Sequence, residues 1–165
     1  MSAAQVTAVF DCMVYLQGAG RRHGPARRCL ELVDAGHITL CLSPSILLEL
    51  TDVLARPLIR QKFPLLTAAD AETLLRSIRA KSQLFTDVPN VLTLPRDRND
   101  EIYLDVAVAA KADYLVTWNE RHLTYLMQKN TPEGKEFGRR FPDLTILDPV
   151  RFLQLVTPDE HPKER

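Results

Sequence analysis

RDRNDEIYLDVAVAAKADYLVTWN, Arg96 to Asn119, decides the fold. Asp97 and Asp100 stand at the mouth of EIYLDVAVAAK, an Ala-rich run of good helix formers, where acids are favoured by unpaired amides and the helix dipole. After Asp113 the chain turns to YLVTW, a β-forming run. The pattern predicts a helix over Asp100 to Lys111 and a strand over Tyr114 to Trp118, the repeating unit of a parallel sheet. In such sheets ligands bind beyond the carboxyl ends of the strands, where the N-termini of the crossover helices also lie. Asp100 and Asn119 are thereby directed to one edge.

Two earlier segments point to the same edge. VTAVF, Val6 to Phe10, reads as a buried strand, first in the chain and central in the sheet, and it ends directly in Asp11. SPSILLELTDVLARP begins with Ser43 as cap and Pro44 as first helical residue, and Ile46, Leu47, Leu50, Val53 and Leu54 follow at helical spacing. Glu49 sits at the margin of that apolar stripe, so its carboxylate can bend toward the sheet edge, whereas Asp52 lies further round toward solvent. An acid at a strand end is also a common turn or cap residue, and a helical Glu is ordinarily solvated.

The rest of the chain reads as scaffold. A loop spans Gly18 to Gly24, Pro25 opens a helix with Gly36 just past its end, and His37 to Leu42 re-enters the sheet. Pro57 ends the Glu49 helix. Thr67 with Asp70 resembles a capping box opening a long helix through about Leu84. Val88 to Leu94 reads as extended, and Leu144 to Leu147 as a last strand before a helix at Pro149. A three-layer α/β/α sandwich with a central parallel sheet is expected, in one domain over residues 1–165 with its core at about 5–156 and a frayed tail at 157–165.

With 165 residues and 45% apolar content, the chain has material for a real core. Lys plus Arg and Asp plus Glu each number 21, so any affinity for polyanions must come from a local patch. Arg21, Arg22, Arg27 and Arg28 after the first strand, and Arg96 and Arg98 beside the third acid, are the candidates for such a basic rim. Cys12, Cys29 and Cys41 have no CxxC spacing and read as buried thiols in a reducing compartment. The start MSAAQVTAVF lacks the basic and apolar regions of a signal peptide, and no run approaches a membrane span, so a cytoplasmic protein is expected.

Separated carboxylates without His or Cys suit Mg²⁺ or Mn²⁺, hard ions that retain waters and bind phosphates. Asp11, Glu49 and Asp100 are the candidate ligands, with Asp97 as cap. Asn119 can add an uncharged oxygen, and Thr117 can hydrogen-bond a carboxylate across the site. No Gly-rich phosphate loop and no G-x-S-x-G elbow occurs, and Met13 stands where a dehalogenase-type phosphatase needs its second Asp.

These segments together resemble the PIN-domain ribonucleases, particularly toxin components of toxin–antitoxin pairs. VFDCMVYLQG resembles the family's strand-one Asp motif, SPSILLELTDVLARP its Glu-bearing helix, and RDRNDEIYLDVAVAAKADYLVTWNERHL its third-acid helix and following strand. The resemblance implies Asp11, Glu49 and Asp100 as the catalytic, metal-binding acids, with Asn119 where many relatives place a fourth Asp. It further implies cleavage of single-stranded RNA, a small cognate antitoxin as partner, and dimers like those common among relatives. Met13, where relatives commonly have Asn, and Asn119 depart from the pattern. They leave open the alternative of a catalytically weakened RNA-binding or partner-binding module on the same fold.

Overall fold

The computed structural model describes residues 5–90, 100–121 and 123–157. Among them five strands form one parallel sheet in the order β3-β2-β1-β4-β5. The strands are β1 (Val6–Phe10), β2 (Ile38–Leu42), β3 (Ser82–Leu84), β4 (Tyr114–Val116) and β5 (Thr145–Leu147). β1 is central: Ala8 pairs with Leu40 on one side and Tyr114 on the other, and Phe10 pairs with Val116. Ala8, Val9 and Phe10 are all fully buried. Successive strand residues face opposite sides, so both faces of the central strand are covered, as the unbroken apolar run requires.

Helices fill the two outer layers: α1 (Cys12–Gly20), α2 (Pro25–Asp34), α3 (Pro44–Leu54), α4 (Pro57–Lys62), α5 (Ala68–Lys81), α6 (Glu101–Ala109), α7 (Pro132–Arg140) and α8 (Pro149–Val156). α6 lies against β1, β2 and β4, while α2 packs on β2 and against α8. The chain steps from β1 outward to β2 and β3, then returns across the sheet to β4 and β5. Right-handed crossovers in opposite directions place their helices on opposite faces, and the reversal opens a crevice between β1 and β4 at their carboxyl ends.

Local chemistry sets the helix ends. The Ser43 hydroxyl accepts from the Ile46 amide at 3.2 Å with Pro44 as first helical residue. Thr67 and Asp70 form the reciprocal capping box. Gly36, at φ +80, closes α2: its amide donates to the Val33 carbonyl at 3.0 Å and the His37 amide to that of Leu32 at 3.0 Å. Lys111 closes α6 the same way with φ +51, and the Ala112 amide reaches the Ala107 carbonyl at 2.9 Å.

Several sequence expectations are corrected. Gly18 and Gly20 are buried inside α1 and not in a loop, because a Cβ at Gly18 would lie 2.6 Å from Leu30 and one at Gly20 2.7 Å from Phe63. The close approach of α1 to its neighbours overrides their poor helix propensity. Pro57 both ends α3 and opens α4 as its first residue. The long helix stops at Lys81, and Ser82–Leu84, expected at its end, pairs with β2 as edge strand β3. Residues 88–90 carry no strand, while 91–94 fall outside the described residues. β4 ends at Val116 and α6 runs from Glu101 to Ala109, each shorter than expected. The helix α7 and a 3-10 turn at Thr124–Met127 had no counterpart in the sequence reading. Cys29 and Cys41 are buried free thiols, but Cys12 is only half-buried.

Candidate active site

The site is assembled at the carboxyl ends of β1 and β4. The strand ladder continues one residue past each of them: the Asp11 amide donates to the Val116 carbonyl at 3.1 Å and the Thr117 amide to that of Leu147 at 2.9 Å. Asp11 is 7% exposed and also caps α1, one carboxylate oxygen accepting from the Val14 amide at 3.1 Å. Its other oxygen accepts from the hydroxyl of fully buried Thr117. Thr117 in turn accepts from the Asn119 amide at 3.0 Å, and the Asn119 side-chain nitrogen donates to Asp100 at 2.9 Å. One hydrogen-bonded chain therefore runs Asp11–Thr117–Asn119–Asp100, linking the end of the central strand to the mouth of α6.

Burial pushes Asp11 up to about 6, and the negative charge of Asp100 adds to the rise, against the opposing hydrogen bonds of Thr117 and Val14. No basic side chain among the described residues pairs with Asp11. Asp100 occupies the cap position of α6 but makes no side-chain capping bond to that helix. Its carboxylate is turned toward Asn119 instead.

Glu49 approaches from α3, half-buried, and accepts from the Tyr103 hydroxyl at 2.8 Å. Tyr103 is buried on α6, and burial with the nearby charges of Glu49 and Asp11 raises its pKa, keeping it a donor. Cys12 is pushed up to about 12 by burial, then by Glu49 and Asp11, so it stays a neutral thiol in the field of both acids. Asp11, Glu49 and Asp100 are thus brought to one edge, with Asp11 in the field of Asp100 and Tyr103 in the fields of Glu49 and Asp11.

Each of the three acids is engaged by a hydrogen-bond partner: Asp11 by Thr117, Asp100 by Asn119 and Glu49 by Tyr103. Among the described residues, no group of three or more His, Cys, Asp or Glu is spaced to hold a metal ion as it stands. The donor chemistry nevertheless fits a hard cation: the acids are all-oxygen donors, and Asp11 is a buried carboxylate with no counter-cation among the described residues. Mg²⁺ needs only one or two carboxylates and keeps several of its waters. Asn119 uses its amide nitrogen toward Asp100, so in this structure it holds an acid in place.

Of the supporting and rim residues, Arg21 and Arg22 are exposed, with the Arg21 guanidinium 5.7 Å from the centre of the Phe63 ring. Arg27 and Arg28 lie 3.9 and 3.5 Å from Glu31. Asp52 is exposed and pairs with Arg56 at 2.7 Å, as its surface position suggested. Asp97, Arg96 and Arg98 lie outside the described residues. Sequence reasoning missed Tyr103, although its place three residues after Asp100 puts both on one face of α6. It also missed the burial of Glu101, which accepts from Asn90 at 2.8 Å, and of Asp105.

The family model of the PIN domain matches residues 7–121, well over half of the chain. No curated protein matches the sequence. Among solved structures, the chain is similar to one in the crystal structure of VapBC2 from Rickettsia felis bound to a DNA fragment from their promoter. The TM-score is 0.50 at 15% identity, covering 87% of this chain and 98% of that one, a likeness of fold. The match over residues 7–121 takes in β1 through β4 with Asp11, Glu49, Asp100, Thr117 and Asn119, and by it this chain belongs to the PIN-domain family.

Proposed function

We propose that this protein is a metal-dependent endoribonuclease that hydrolyses phosphodiester bonds of single-stranded RNA, as the toxin of a toxin–antitoxin pair. The observation that carries the reading is the buried Asp11 carboxylate at the end of the central strand, without a counter-cation among the described residues and linked through Thr117 and Asn119 to Asp100. PIN domains are in general nucleases, which supports the reaction class. The fold likeness to VapBC2, together with the sequence resemblance to toxin components, supports a small cognate antitoxin as partner.

Asp11, Asp100 and Glu49 would hold Mg²⁺ or Mn²⁺. When bound, such an ion supplies an activated water and positive charge against the phosphodiester. The chain's own residues orient the acids: Thr117 fixes Asp11, Asn119 fixes Asp100, and Tyr103 fixes Glu49. Arg21 and Arg22, with Arg96 and Arg98, are proposed to meet RNA phosphates at the rim. A homodimer and a cytoplasmic location complete the proposal; no helix among the described residues is long and apolar enough to cross a membrane.

The deciding experiment is cleavage of unstructured RNA with Mg²⁺ or Mn²⁺, with and without EDTA. Metal-dependent cleavage, largely lost in Asp11→Asn, Glu49→Gln and Asp100→Asn, is the expected result. RNA binding with no cleavage under any divalent ion would instead favour a non-catalytic module on the PIN fold. That no three-ligand cluster stands ready-made among the described residues is the observation on the side of that second reading.

A further inference from the structure

Trp118 is the chain's only tryptophan, and it stands between two members of the acid network. Thr117 before it is fully buried and Asn119 after it is half-buried, yet Trp118 keeps 38% of its surface exposed. A large apolar ring left in water forgoes much of the stabilisation that burying it would supply. The ring is nevertheless not loose. Its indole Nε1–H donates to the Gln17 side-chain oxygen at 2.7 Å, tying its polar edge to α1.

That tether also fixes where the ring lies. Gln17 is on the helix that Asp11 caps, six residues further on, about 9 Å along the axis at the standard helical rise. The ring's polar edge is therefore anchored on α1 beyond Asp11, while the residue's backbone lies between Thr117 and Asn119 of the acid network. Its own polar group is already satisfied, so what the side chain offers to solvent is apolar ring surface. We propose that Trp118 is a stacking platform for a base of single-stranded nucleic acid, receiving a nucleotide that flanks the phosphate held at the Asp11–Asp100 site. The inference rests on the nuclease reading and deepens it by naming a subsite. Stacking on an aromatic face tolerates any base, so the platform would grip the strand without reading its sequence.

Because Trp118 is the only tryptophan, the intact protein carries its own reporter. An end-labelled unstructured RNA of about 12 nucleotides, within the usual span of a single-strand site, is titrated in Ca²⁺, reading label anisotropy for binding and indole emission for stacking. The expected result is emission quenched in step with binding, and affinity lower by about 5- to 100-fold in Trp118→Ala but largely kept in Trp118→Phe. One abasic position in the RNA should reproduce the alanine loss and add nothing further in Trp118→Ala. That non-additivity separates stacking from a structural role, and unchanged thermal midpoints check the fold.

Binding with unchanged emission and equal affinity for Trp118→Ala would overturn the platform while leaving the nuclease reading intact. Emission that follows protein concentration but not RNA would assign the ring to self-association and overturn it too. Failure of the wild type both to bind RNA in Ca²⁺ and to cleave it in Mg²⁺ or Mn²⁺ would remove the nuclease reading and the platform together.

Discussion

Asp11 carries its charge at a cost in desolvation, and its chemistry gives a test that needs no substrate. Its folded pKa, raised from 3.8 to about 6, means that the native state holds a proton the unfolded chain has released between those values. Stability in EDTA should therefore fall as pH rises through that window and stay low above it. Asp11→Asn removes the cost while an amide oxygen can still cap α1, so at pH 7 it should gain on the order of 2 kcal/mol and lose most of the pH dependence. Chemical denaturation at pH 4 and pH 7 measures both, and a destabilised Asp11→Asn at pH 7 would show that the Thr117 bond outweighs desolvation. Asn119→Asp replaces the donor to Asp100 with a second charge. It should destabilise the metal-free protein by roughly 1–2 kcal/mol and enlarge the rise in melting temperature on adding Mn²⁺; an unchanged rise would place residue 119 outside the ion's reach. The acids were legible in the sequence because a strand end and a helix mouth are local properties. Tyr103 was not, since its bond to Glu49 depends on how α3 packs against α6.

The elements differ in how openly they announce themselves. β1, α2, α3 and α8 combine an apolar period with strong end signals, and they appear close to where those signals put them. α1 was hidden because Gly18 and Gly20 read as a loop, whereas their lack of a Cβ is what lets the helix close on Leu30 and Phe63. Gly18→Ala should accordingly destabilise by about 1–3 kcal/mol despite its better helix propensity, unless Leu30 can shift. β3 was hidden because SQL carries no alternation of its own and is a strand only by pairing with β2. At the far end of α6, Lys111 holds a left-handed conformation without glycine and is exposed. Lys111→Gly should raise stability by roughly 1 kcal/mol, read as a higher melting temperature; a loss would mean that the lysine stem packs on its helix more than its exposure suggests.

For the molecule as a whole, the central position of β1 ties both halves of the sheet to one site. Glu49 follows β2, Thr117 and Asn119 follow β4, and Asp11 lies between them. A chain built this way should unfold in one cooperative transition, with near-UV and far-UV signals coinciding. Separate transitions would mean that the β2 and β4 sides are held independently. The order of the strands was legible only in part: alternation of strand and helix gives a parallel sheet, but which neighbours pair is decided by packing across long separations.

The bond from Thr117 to Asp11 spans 106 residues. Until β4 has left the ribosome and docked beside β1, the Asp11 carboxylate has neither its threonine nor the asparagine that steadies Asp100. Contacts of this range form late, because the intervening chain must first be ordered. A growing chain therefore carries Asp11 and Glu49 without the arrangement that joins the acids, and the site comes into being only once Thr117 and Asn119 have docked.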